Sequence, residues 1–178
     1  MNPDVNYKSY VNETGLFIDN WQNPETVSAY DDVMKFSNCT DVTVSGVLIM
    51  GGREDCIDAV RGSNYFFTDL SLVPLWNGVT IKGSIENATF KNISFETTGK
   101  DYCIELGQFD NYWTPGRKPT RGVKLENVHS VSGAKVTVRV WDAEMPTIIN
   151  SPSVVVKKIP KFIWYPYFLF RRWQIKKN

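Results

Sequence analysis

The chain has 178 residues, of which 42% are apolar and 22% charged, with 20 Lys and Arg against 19 Asp and Glu. A formal net charge of +1 excludes a global basic field of the kind that gathers nucleic acid, so no nucleic-acid partner is expected. No apolar run reaches the length that crosses a bilayer, and the size suits one domain with a substantial core.

The opening MNPDVNYKSY has no apolar signal-peptide segment, which suggests a cytoplasmic or virion location. Residues 1–32 match the rest of the chain poorly and are assigned to an N-terminal cap and irregular first turn. From residue 33 a repeat begins. DVTVSGVLI (41–49), NYFFTDLSL (64–72) and NATFKNISF (87–95) start 23 residues apart. GVKLENVHS (122–130) follows 35 later, a repeat plus a 12-residue insertion.

Apolar and outward residues alternate through each unit, which is strand periodicity. Val42, Tyr65, Ala88 and Val123 form one inward column, and Val44, Phe67, Phe90 and Leu125 the next. Gly46, Asp69, Asn92 and Asn127 then mark a bend, being residue types that tolerate a left-handed backbone. Val47, Leu70, Ile93 and Val128 return to the interior. Just upstream lies a second strand column, with Met34, Ile57, Val79, Ile104 and Val136 inward and Lys35, Asp58, Thr80, Glu105 and Thr137 outward. Asn-x-Ser/Thr sequons at Asn12, Asn38, Asn87 and Asn92 read as bend residues rather than glycosylation sites.

Within EDCIDAVRGSN (54–64), Glu54 and Asp55 fall before the strand as ordinary turn-formers. Cys56 and Cys103 align two coils apart, about 10 Å, too far for a disulfide. The three cysteines fit no metal pattern, and no metal or cofactor is expected. Lys35 precedes Asp58 by one coil, which predicts a cross-strand ion pair on a solvated face.

The insertion GQFDNYWTPGRKPTR (107–121) brings Tyr112 and Trp113 beside the strand that carries Glu105. Residues 33–156 are assigned to the coils and 157–178 to an aromatic C-terminal cap, a surface on which another protein chain could pack. Aromatics with basic flanks also suit a membrane interface. Pro160 and Pro166 argue against one continuous amphipathic helix there, so a membrane partner is not expected.

A unit of about 23 residues with short strands and bends buries its apolar side only by stacking on its neighbours. On these repeats the chain resembles the pectate-lyase-like right-handed parallel β-helix superfamily. That resemblance implies an all-β, single-stranded solenoid of about five to six coils with a cap at each end. It covers residues 33–140 and speaks to fold more than to activity, because the fold hosts enzymes and inert proteins alike. The aspartate cluster, His-Gly pair and Arg-x-Lys triplet of the polygalacturonase branch are not all present.

Two functions follow. The first is a non-enzymatic module, structural or glycan-binding, of viral, phage or cell-surface origin. Its ligand would lie along Lys35, Asp58, Thr80 and Glu105 beneath Tyr112 and Trp113, with no catalytic residue. The alternative is a small polysaccharide lyase or glycoside hydrolase in which Asp58 and Glu105 form the acid/base pair.

Overall fold

Residues 17–20, 32–51, 55–96, 103–108 and 118–177 are described by a computed structural model. Ten strands form one sheet in which every pairing is parallel, and a single helix closes the described chain. The strands are β1 Phe17–Asn20, β2 Met34–Ser45, β3 Leu48–Gly51, β4 Asp55–Pro74, β5 Asn77–Phe95, β6 Ile104–Gln108, β7 Arg121–Ser130, β8 Val136–Val140, β9 Thr147–Ile149 and β10 Val154–Lys158. The helix α1 spans Lys161–Lys177. The solenoid expected from the repeat is therefore present, and its coils can be counted along one column. Met34, Ile57, Val79, Ile104, Val138 and Val156 pair in succession, which gives six rungs.

The core is the stack of inward columns. Val42, Tyr65, Ala88 and Val123 pair in register, as do Val44, Phe67, Phe90 and Leu125. All eight are buried. The rings of Phe67 and Phe90 stack at 5.1 Å between centroids, and Tyr65 stacks on Phe67 at 5.9 Å. Cys39, Cys56 and Cys103 are buried and form no disulfide. Burial pushes the Cys56 thiol up to about 12, so it behaves as a small apolar residue.

Long strands bend wherever a residue takes a left-handed backbone, and these residues form ladders. Gly46, Asp69, Asn92 and Asn127 have φ of 67°, 54°, 54° and 52°. The Asn92 amide donates to Asp69 Oδ1 at 2.7 Å, and the Asn127 amide donates to Asn92 Oδ1 at 3.0 Å. A second ladder has the same chemistry. The Asn64 amide donates to Asp41 Oδ1 and the Asn87 amide to Asn64 Oδ1. It ends at Gly122, where a Cβ would stand 2.5 Å from Asn87 Oδ1. Replacing Asn92 by Ala removes bonds to both neighbours and puts a Cβ residue into left-handed space. About 2–3 kcal/mol of stability should be lost in urea unfolding. Asn92→Gly keeps the backbone freedom and should lose about half of that.

The fifth rung of the upstream column differs from the expected register. Ile104 pairs with Val138 and Glu105 with Arg139, two residues beyond the Val136 and Thr137 expected from the repeat. A slip of two preserves which face each side chain takes, so hydrophobic alternation cannot detect it.

The C-terminal segment also differs. One helix runs through Pro166. The carbonyl left without a donor by Pro166 is that of Phe162, whose residue is 78% exposed, where water can serve it. Of the rings expected to close the last coil, Trp164 is buried and packs with Trp141, Ile159 and Tyr165. Phe162, Phe170 and Trp173 are exposed.

Candidate active site

Lys35, Asp58, Thr80, Glu105 and Arg139 occupy equivalent positions on five successive rungs. Parallel pairing puts their side chains on one face, since residues in register project alike. The expected ion pair forms, with Lys35 Nζ 2.6 Å from Asp58 Oδ2. The expected solvated face does not: Asp58 and Thr80 are 0% exposed and Glu105 is 2% exposed. Tyr112 and Trp113 lie outside the described residues, as does Glu54.

Burial changes the chemistry of this face, because an ionised carboxylate away from water needs a partner. Asp58 Oδ2 has two, Lys35 and, at 3.1 Å, Lys82 Nζ. Lys35 also reaches Asp32 at 2.9 Å. Burial opposes charge on both lysines, but their carboxylate neighbours, Asp58 foremost, outweigh it and hold their pKa above the usual amine range. Asp32 is raised, by burial first and then by Asp58. Glu105 pairs with Arg139 at 3.1 Å, and the Arg139 guanidinium lies 5.1 Å from the centre of the Trp141 ring.

Asp55 is the residue that the sequence reading misplaced. It is the first residue of β4, not a solvated turn-former, and it is 2% exposed. Strict alternation would send its side chain the way of Ile57. At the point of entry into the strand it instead accepts a 2.6 Å hydrogen bond from the Thr80 hydroxyl. Burial pushes its pKa up to about 7, against the lowering effect of the Thr80 bond and of Lys82, whose ammonium is 3.8 Å away; Asp58 and Asp32 raise it further. Lys82 thus touches both carboxylates. Its contacts hold Asp55 Oδ2 and Asp58 Oδ2 no more than about 7 Å apart, below the roughly 9.5 Å upper limit for paired glycosidase carboxyls.

Three buried acceptors in this cluster have no hydrogen-bond partner among the described residues: Asp32 Oδ1, Asp58 Oδ1 and Asn77 Oδ1. Asn77 stands in register beside Asp55 on the next rung. Unmet acceptors beside a protonatable carboxyl suit hydroxyl-bearing ligands or water. No group of three or more metal-ligating side chains occurs among the described residues. Asp55 was within reach of sequence reasoning, since Thr80 and Lys82, both on one face, are its partners. What hid it was the assumption that the face is wet.

No family model matches the chain, and no solved structure matches it. Among curated proteins it is similar to Polygalacturonase 2 of Penicillium olsonii, 31% identical over 120 residues, covering 61% of this chain and 31% of that protein. It is also similar to Polygalacturonase of Fusarium fujikuroi, 30% identical over 110 residues, covering 55% of this chain and 29% of the relative. A third relative, Probable endopolygalacturonase D of Neosartorya fischeri, is 29% identical over 110 residues, 55% of this chain and 23% of its own length. The chain spans about a third or less of the curated relatives it matches. These relatives overturn the expectation of a non-enzymatic structural or viral module, and the glycoside hydrolase alternative fits them.

Proposed function

We propose that this chain, a parallel β-helix of the pectate-lyase-like superfamily, is a glycoside hydrolase module acting on an acidic polysaccharide of the polygalacturonan class. The observation that carries the reading is the unequal pair Asp55 and Asp58. Two carboxyls bridged by one lysine, one pushed up to about 7 and the other ion-paired to two ammonium groups, are an acid and a base side by side.

In this mechanism protonated Asp55 gives its proton to the glycosidic oxygen as the bond to the anomeric carbon breaks. Asp58 takes a proton from the water whose oxygen forms the new bond at that carbon. Thr80 holds the Asp55 carboxyl in place. Lys35, whose side chain is 57% exposed, is where the row meets solvent and suits a uronate carboxylate. Glu105, proposed from the sequence as half of the acid/base pair, is bound to Arg139 and fits better as a hydrogen-bonding member of the sugar site. The lone histidine, His129, is not among the residues of this row, so the acid/base work falls to carboxylates.

Release of reducing ends from polygalacturonate, without unsaturated product, is the expected result of incubation with the full chain. The rate should fall as pH rises through about 7, where Asp55 loses its proton. Stability follows the same group. Its folded pKa is raised above the ordinary value of 3.8, so between about 4 and 7 the folded state holds a proton that the unfolded state has released. Thermal stability should therefore decline as pH rises across that window, and Asp55→Asn should flatten the decline. Formation of unsaturated ends would instead indicate elimination, and no cleavage of any uronan at any pH would reject the reading.

A further inference from the structure

The charges of this chain are unevenly placed. Residues 1–144 hold 13 cationic and 19 acidic side chains, a net charge of −6, whereas residues 145–178 hold seven cations and no acid. Lys157, Lys158 and Lys161 precede or open α1, and Arg171, Arg172, Lys176 and Lys177 lie in its second half. The helix has two unlike faces. Trp164 docks on Trp141 and Ile159. Phe162, Leu169, Phe170 and Trp173 recur at the spacing of a single stripe, joined at its edge by Ile163, and all five are 44–78% exposed. Phe170 and Trp173 stack on each other at 6.1 Å. At 100° per residue, this stripe faces away from Trp164.

From this juxtaposition of an exposed aromatic stripe and an acid-free basic segment we infer that α1 binds the surface of an anionic lipid bilayer. Aromatic rings settle at the level of the headgroups, and neighbouring Lys and Arg are drawn to anionic lipid. No described helix is long and apolar enough to cross a membrane, so the helix lies in the interface. The proline objection drawn from the sequence does not hold, because the helix continues through Pro166. A second copy of the chain is the poorer occupant. Six of the 19 carboxylates of the acidic part, Asp32, Asp55, Asp58, Glu86, Glu105 and Glu126, are already engaged by its own lysines and arginines, which lessens its pull on the helix of a second copy. The inference stands independently of the hydrolase reading.

The test is co-sedimentation of the full chain with vesicles of phosphatidylcholine alone and of phosphatidylcholine with phosphatidylserine. The protein should pellet with the anionic vesicles, weaken as salt rises, and show little binding to the neutral ones. The double variant Phe170→Ala/Trp173→Ala should bind the anionic vesicles at least roughly tenfold more weakly. Its thermal stability should be unchanged, because both rings are exposed, which separates lost binding from misfolding. Lys161→Glu should also weaken binding while leaving the stripe intact. Absence of binding to anionic vesicles, or equal binding by wild type and double variant, would overturn the inference. So would a concentration-dependent dimer that the double variant abolishes, because it would make the occupant a second copy of the chain.

Discussion

Asp55→Asn is expected to reduce hydrolysis of polygalacturonate by about 10²–10⁴-fold, the usual contribution of a positioned acid or base. Asn keeps the shape of the side chain and can still accept from Thr80, but it has no proton to transfer to the leaving oxygen. Folding should survive, because a carboxyl that burial disfavours in its charged form is replaced by a neutral group. Asp58→Asn should cost activity on the same scale for a different reason. It removes the negative charge that lies between Lys35 and Lys82, and with it the base that takes the proton from water. It should also destabilise the protein, by about 1–3 kcal/mol, because Lys82 then keeps only its 3.8 Å contact with Asp55 while Lys35, 57% exposed, keeps Asp32. The two variants are therefore told apart by stability measured beside rate. Loss of activity without a lower melting temperature in Asp55→Asn is the result that supports a chemical role. A variant that keeps full activity would remove Asp55 from the mechanism.

The largest effect on stability is expected in the stacked aromatic column. Phe67→Ala should cost about 3–5 kcal/mol, the range for deleting a buried ring. Phe67 is 0% exposed and sits between Tyr65 and Phe90, with Val44 and Phe90 its partners on the rungs on either side. Because each coil is stabilised by its neighbours, the cavity is felt by two interfaces at once. Phe67→Leu restores most of the volume and should cost less than about 1.5 kcal/mol. Denaturant unfolding of the two variants measures the difference. An Ala variant no less stable than the Leu variant would show that the column does not carry the core.

The sequence determined the local pattern of this protein. The 23-residue spacing, the inward columns through Val44, Phe67, Phe90 and Leu125, and the bend ladder through Gly46, Asp69, Asn92 and Asn127 are all properties of residue type and period. They are legible because a strand has a period of two and a left-handed bend admits few residue types. The ion pair of Lys35 with Asp58 followed from the same register. Only the tertiary structure decided the rest. That Glu105 meets Arg139 depends on how many residues the insertion absorbs, and a slip of two leaves the pattern unchanged. That α1 runs through Pro166 depends on where the freed carbonyl lies relative to water. The site itself was misjudged as wet, because outward from a strand was equated with exposed to solvent. Whether Asp55 titrates as an ordinary carboxyl or near 7 is set by what surrounds it in space, and desolvation is a property of packing that residue spacing does not encode.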